Sequence, residues 1–272
     1  MEKRKPVCNL KVHHKIQVMV IQYEELTDFQ WEVIADLFPE QEICQLSLRK
    51  VLDSIFWLLR TGSQWRNMDS KYPAWSAVYY HFRKWKNDGR FEQMNALLNG
   101  IERYSDDREE RASAVCIDSQ SVKVSPFTSL DTGFDGGKKI KGRKRHIVTD
   151  TMGLVQGVIV SAANVYDGKP GIRLFGKIKT LLERVEMVFA DGSYRGSFEQ
   201  FVKDLIAAQV DISSRPPSEK GFVPIKIRWV VERTFGWFNF FRRLSKDYEK
   251  TVESSASWIL LANCQIILSR MR

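Results

Sequence analysis

Cysteine is scarce and scattered in this chain. Its 272 residues include four, Cys8, Cys44, Cys116 and Cys264, and no two form a C-x-x-C pair. That spacing argues against a structural zinc site and a disulfide framework, and it fits a reducing cytosol. Cys116 and Cys264 lie in apolar stretches and read as small core residues. Histidine is equally thin. His13, His14, His81 and His146 show no metal-ligand spacing and read as surface or phosphate-contact side chains. No apolar run reaches the roughly 18 residues a membrane span needs. The stretch Ile16–Ile21 is far shorter and lacks a small-residue cleavage site, so a signal peptide is not expected. Negative charge is also in deficit: 33 acidic residues face 42 basic ones, a formal net charge of +9. With the membrane option set aside, that surplus points to a nucleic-acid partner. Internal repeats and low-complexity tracts are missing as well.

What is there falls into three stretches. Residues 1–22 show no clear period and are expected to be a loosely ordered arm, or an extension upstream of the natural start. Residues 23–104 carry helical signals. Thr27 and Gln30 have capping-box spacing, with Trp31, Ile34, Leu37 and Phe38 following at helical intervals. A second helix is expected from Ser47 through Val51, Leu52, Ile55, Phe56 and Leu59, closed by Gly62. A third starts near Pro73–Ser76, carries Val78, Tyr79, Phe82 and Trp85, and stops at Asp88–Gly89; a short fourth covers Phe91 to Leu98. The set reads as a compact helix-turn-helix-like unit. The charged stretch Glu102–Arg111 marks a boundary. Residues 113–272 then change texture. Strands are expected at Ala114–Ile117, at 146–150 and 154–160 as a hairpin through Thr151–Gly153, at Val188–Ala190 and at Val210–Ile212. Helices are expected at Arg173–Arg184, Phe198–Ala208, Lys226–Leu244 and Ser255–Ser269. The fold class is therefore α/β, a mixed sheet with flanking helices behind a small all-α domain.

Three acids hold comparable places in this order. Asp118 ends the first strand, Asp191 ends a later one, and Glu232 lies about a turn into a long helix. Strands that stop at Asp put carboxylates at the edge of a sheet where α/β sites form. Such a set could hold two Mg²⁺ ions about 4 Å apart for phosphoryl transfer, because Mg²⁺ prefers hard oxygen ligands and keeps open positions. On spacing alone the plainer reading stays open: a turn Asp, twice, and a helical Glu in a solvated salt bridge with its neighbour Arg233. Asp150 and Asp167, each shortly before a glycine, read as turn residues.

The surroundings of the acids carry more. The segments 117–123 (IDSQSVK), 138–150 (KKIKGRKRHIVTD), 162–167 (AANVYD), 190–194 (ADGSY) and 229–249 (WVVERTFGWFNFFRRLSKDYE) resemble bacterial DDE-type insertion-sequence transposases of the insertion-sequence-five family. So do 26–31 (LTDFQW), 61–66 (TGSQWR) and 73–82 (PAWSAVYYHF), which are similar to that family's N-terminal helical domain. The resemblance runs in order over roughly 23–270. It implies an RNase H-like core, with Asp118, Asp191 and Glu232 as the catalytic, metal-binding residues. It also implies Mg²⁺-dependent strand cleavage and transfer at the ends of a mobile element, with Mn²⁺ able to substitute. In one place the chain departs from the pattern: where that family commonly carries a basic residue about two turns after the Glu, this chain has Asn239 and Phe240. On a helical wheel Arg228, Arg243 and Lys246 fall near Glu232, so Arg243 or Arg242 is expected to take the phosphate-contacting role.

Six of the eight residues from Lys138 to Arg145 are basic (Lys138, Lys139, Lys141, Arg143, Lys144 and Arg145). The run is expected to be a loop entering the first hairpin, near the acids, where it can hold DNA phosphates. On the third helix Tyr80, Arg83, Lys84 and Lys86 lie off the apolar face, placed to meet a groove or its phosphate walls. The expected partners are double-stranded DNA, as element ends and target, and a second copy of the chain when DNA is bound, in the bacterial cytoplasm at the nucleoid. Two rivals remain: an RNase H-like nuclease that cuts without joining, and a non-catalytic DNA-binding protein derived from a decayed or domesticated transposase.

Overall fold

Six strands form one sheet, centred on β1 (Ala114–Lys123), in the computed structural model, which describes residues 23–38, 46–128, 130–212 and 229–271. The N-terminal arm, Cys8, Cys44, His13, His14 and Arg228 lie outside the described residues. On one side β1 pairs antiparallel with β3 (Ile140–Asp150), which carries β2 (Gly133–Asp135) and β4 (Val155–Ala162) on its far edge. On the other side β1 pairs parallel with β5 (Met187–Ala190), and β5 with β6 (Gln209–Ile212). This mixed sheet with helices on both faces is the expected RNase H-like architecture.

The sheet corrects two expectations. Asp118 does not end its strand, because β1 continues to Lys123 along β3, pairing Lys123 with Gly142. The basic run is not a loop: from Ile140 onward it is β3. Gly142 permits this close pairing, since a Cβ there would sit 1.9 Å from the carbonyl oxygen of Val122.

Alternation along the strands gives each face its own core. Val115, Ile117, Val148 and Val188 face α5 (Gly168–Lys177) and α6 (Ser197–Ile206), where Leu174, Phe175 and Phe198 meet them. Cys116, Ile147, Val158 and Val160 face the other way, towards α7 (Trp229–Phe238) and α8 (Val252–Leu268). Cys116 and Cys264 are both fully buried, as expected.

The N-terminal helices follow their sequence signals. α1 (Asp28–Ile34) starts with a reciprocal cap: Thr27 Oγ1 accepts from the Gln30 N–H, and the Gln30 side chain accepts from the Thr27 N–H. α2 (Leu48–Thr61) is capped by Ser47 and stopped by Gly62 at φ +70°. α3 (Trp75–Asn87) ends at Asp88 and Gly89. α4 (Arg90–Ser105) is longer than expected and runs into the charged stretch that was read as a boundary. Its last turn is held from outside, because Arg103 pairs with Asp150 at the end of β3. These helices do not form a separate core. Ile55, Phe82 and Leu98 belong to the same apolar cluster as Cys116, Ile147 and α8, and Phe82 stacks on Trp258 with ring centroids 4.8 Å apart. Three buried amides pin the seam. Asn95 and Asn99 of α4 donate to the Val155 carbonyl, Asn263 of α8 accepts from the Val155 N–H, and the Asn263 amide donates to both α4 asparagines.

The long helix expected over Lys226–Leu244 is shorter, because α7 stops at Phe238. Phe235, Phe238, Phe241 and Leu244 are all buried at intervals of three. A turn of 3.0 residues satisfies that spacing where a turn of 3.6 would not, and Arg242–Leu244 is accordingly a 3₁₀ turn. Arg243 and Lys246 therefore do not share a helix with Glu232, and the helical-wheel argument for them does not apply. Among the described residues no helix is long and apolar enough to cross a membrane.

Candidate active site

The parallel register of β1 and β5 pairs Ala114 with Met187, Val115 with Val188 and Cys116 with Phe189. Continued by two residues, it sets Asp118 opposite Asp191, at a strand spacing of about 5 Å. Asp191 follows the strand in extended conformation (φ −89°, ψ 176°), so the alternation carries on through it. Asp118 thus shares a face with Cys116, and Asp191 with Phe189, which is the face that α7 covers. Both acids are half-buried. Asp118 accepts from the Ser119 N–H at 2.7 Å; Asp191 caps the short turn Gly192–Tyr194, accepting from the Ser193 N–H at 2.9 Å and from the Ser193 hydroxyl.

Glu232 lies in the first turn of α7, exposed, beside the buried Val231. The next residue anchors this helix. Arg233 donates to the Met152 carbonyl at 2.6 Å, with its guanidinium 4.6 Å from each of the Trp229 and Trp237 ring centroids. Glu232 is on the same side of the sheet as the aspartates, but the three acids are not drawn together. Among the described residues no group of three acid, histidine or cysteine side chains could hold a metal ion. In donor chemistry the acids suit a hard divalent cation, and two of them are in register; the third ligand is not delivered in this arrangement.

The basic residues divide sharply. Arg143 is fully buried, donating to the carbonyls of Leu130, Glu249 and Lys250 and pairing with Asp247 at 3.2 Å. Arg145 is 2% exposed and donates to the Leu244 carbonyl, and burial pushes its guanidinium down to about 10. Arg243 is buried against Trp258, 4.4 Å from its ring centroid, and donates to Glu249 and to the Ser63 carbonyl. These three were expected to touch DNA. Their guanidiniums are instead internal cross-links: Arg143 and Arg145, on the covered face of β3, bond the segment 244–250 and Leu130, and Arg243 ties that segment to Ser63 just after α2. Lys144 pairs with Asp167 at 2.8 Å, and Ser119 Oγ donates to the same carboxylate, so Asp167 is more than a turn residue. His146 is not a surface residue either. It is buried, 2.9 Å from Ser161 Oγ, and desolvation pushes it down to about 4, aided by Lys144 and Lys138 and opposed by Asp167.

Lys138, Lys139, Lys141, Arg242 and Lys246 are exposed, as are Tyr80 and Arg83; Lys84 is half-buried. The turn that carries Lys138 has a holder which sequence reasoning missed. Asp135 accepts from the Gly137 and Lys138 N–H groups, each at 3.0 Å, and its other oxygen accepts from Ser121 Oγ. The Ser121 hydroxyl, and then the Lys138 N–H, hold the Asp135 carboxyl below its usual range. The signal was present as Phe-Asp-Gly-Gly, a turn dipeptide ahead of the lysines.

A family model described as "Transposase DDE domain" matches residues 109–267, and one described as "Putative transposase of IS4/5 family" matches residues 26–95. The chain is 31% identical over 139 residues to the "Putative transposase for insertion sequence element IS402" of Burkholderia cepacia, covering 48% of this chain and 65% of that protein. It is 26% identical over 121 residues to "Uncharacterized protein y4sN" of Sinorhizobium fredii, covering 43% of this chain and 86% of that one. The chain thus spans just under two thirds of the first relative's length. No solved structure matches it.

Proposed function

Because the chain belongs to the family of transposases with a DDE domain, a family that depends on a divalent metal, we propose that it cuts DNA at the ends of an insertion sequence and joins them to target DNA. The observation that carries this reading is the parallel register of β1 and β5 within the matched segment, which, continued two residues past Cys116 and Phe189, sets Asp118 opposite Asp191. Asp118, Asp191 and Glu232 would hold two Mg²⁺ ions, or Mn²⁺ in their place, which when bound activate the attacking hydroxyl and stabilise the leaving oxygen.

The exchange balances without an energy source. A water oxygen bonds to phosphorus, the P–O3′ bond breaks, one water proton goes to solvent, and the 3′-oxygen leaves as a hydroxyl. That hydroxyl then bonds to a phosphorus of the target strand and displaces another 3′-hydroxyl. Lys138, Lys139, Lys141, Arg242 and Lys246 would hold phosphates near the acids, while Tyr80, Arg83 and Lys84 on α3 would contact the terminal repeat; Arg143, Arg145 and Arg243 drop out of the set. Both ends must react together, so a homodimer on DNA, at the nucleoid in the cytoplasm, completes the proposal.

One observation favours a second reading, a DNA-binding protein without catalysis: the three acids are not gathered into a metal site among the described residues. The separating experiment is Mg²⁺-dependent cleavage of a labelled duplex carrying the element's terminal repeat. Wild type is compared with Asp118→Asn, Asp191→Asn and Glu232→Gln. Cutting by wild type alone, with binding kept in all four, supports the proposal. Binding without cutting by wild type supports the second reading.

A further inference from the structure

We propose that Lys138 is a catalytic residue, contacting a non-bridging oxygen of the scissile phosphate, and that Asp135 is the residue that positions it. This rests on the reading of Asp118 and Asp191 as the cutting centre.

The argument starts from where the ammonium lies. Lys138 Nζ donates to the carbonyl of Ser119, the residue after Asp118, at 3.3 Å. It reaches there from the β2–β3 turn, and Ser119 belongs to the part of β1 that runs on past its last pair with β5, Cys116 with Phe189. An ammonium has three donors, and this one spends one on a carbonyl while the side chain stays exposed. Three others of the basic run are committed elsewhere, Arg143 to Asp247, Lys144 to Asp167 and Arg145 to the Leu244 carbonyl, while Lys139 and Lys141 are exposed and Lys138 is the one tied beside Asp118.

The turn is also pre-shaped. Asp135 ties down the N–H groups of Gly137 and Lys138 and is itself tied to Ser121 of β1. Lys139 completes the turn at φ +53°, a conformation L residues adopt only when the surroundings hold them there. A cation fixed before the substrate arrives costs little further ordering, and a phosphoryl transition state gains most from such preorganised charge. Lys138 transfers no proton in this role; it donates a hydrogen bond to the oxygen whose charge grows as the attacking oxygen approaches phosphorus.

The test uses the full chain and two duplexes with the terminal repeat, one native and one bearing a neutral methylphosphonate at the scissile position. Binding is read without metal. Neutralising that phosphate is expected to weaken wild-type binding about tenfold, the worth of one charge-assisted hydrogen bond. In Lys138→Ala the two duplexes should bind alike. Equal sensitivity of both proteins to the methylphosphonate overturns the proposal, whether or not wild type cuts. With Mg²⁺ and saturating native duplex, Lys138→Ala should cut about a hundredfold more slowly, with Lys138→Arg restoring part of the rate. Normal cutting at saturation by Lys138→Ala also overturns it. For the positioning role, Asp135→Ala should reproduce the loss of coupling and Asp135→Asn, which keeps an acceptor oxygen, should restore it. Retained coupling in Asp135→Ala removes Asp135 from the proposal. Failure of wild type to cut, with the binding coupling intact, would count against the proposed function and leave the phosphate contact standing.

Discussion

Arg103 and Asp150 form an ion pair that is buried on both sides, its side chains 7% and 0% exposed, joining the last turn of α4 to the end of β3. The other Asp150 oxygen accepts from the N–H groups of Met152 and Leu154, closing the β3–β4 turn, while Arg103 Nε donates to the Glu109 carbonyl. Burial raises the Asp150 carboxyl above its ordinary value, against the pull of the Leu154 N–H and of Arg103. Removing the arginine strands a carboxylate in the interior, which costs about 3–5 kcal/mol. Arg103→Met should therefore lower the urea midpoint sharply at pH 7. Arg103→Met with Asp150→Asn should regain much of it, since the amide oxygen still serves the turn. No recovery in the double variant would mean that the pair is not the source of the loss.

His146 gives the fold an acid-sensitive point. Its folded value, about 4, lies below the ordinary imidazole value of 6.5, so between those values the unfolded chain binds a proton that the folded chain refuses. The stability is fully present above pH 6.5 and is lost as pH falls, by about 2 kcal/mol at pH 5. In His146→Gln that part of the loss between pH 7 and pH 5 should disappear. Urea unfolding of both proteins at the two pH values measures it, and parallel losses would exclude His146 as the cause.

The asparagine seam allows a stability prediction at a site remote from the acids. Asn263→Ala removes the amide donor of the Asn95 and Asn99 side-chain oxygens and the acceptor of the Val155 N–H, leaving Asn95 Oδ1 only a long contact with Cys264 Sγ at 4.0 Å. Buried groups left unpaired cost about 1–3 kcal/mol each, so a loss of about 3 kcal/mol or more is expected by chemical denaturation. A change below about 1 kcal/mol would show that water replaces the amide.

The basic run should split in a salt titration of DNA binding. Lys141→Ala, at an exposed position, should reduce the slope of log affinity against log salt by about one. Arg143→Ala should leave the slope of whatever remains folded unchanged and instead lower the melting temperature, because it strands Asp247 inside the protein. A smaller slope in Arg143→Ala without a stability loss would return that residue to the DNA surface.

Local chemistry made much of this molecule legible in advance. The Thr27–Gln30 cap, the Ser47 cap, the Gly62 stop and the strands beside Asp118 and Asp191 each depend on residues close in sequence. What was misread depends on partners far away. Arg143 and Arg145 look like a solvated run until residues about a hundred positions later cover them. Read locally, α4 ends at a charged stretch; Asp150, far along the chain, claims Arg103 and extends it. Read locally, α7 continues to Leu244; the three-residue spacing of Phe235, Phe238, Phe241 and Leu244, packed into the core, stops it at Phe238. The acids are visible in sequence as residue types after apolar runs and in a helical stretch; that the register sets Asp118 opposite Asp191 required the pairing of β1 with β5.

α8 has a consequence for how the protein is made. The N-terminal helices complete their core on Trp258 and Asn263, residues that leave the ribosome only after the whole sheet. Domains usually fold in the order of synthesis, but here the first helices must wait. A chain interrupted before α8 would therefore carry its strand acids without the finished helical layer above them, so that the N-terminal helices and the acid-bearing sheet mature together in one late event.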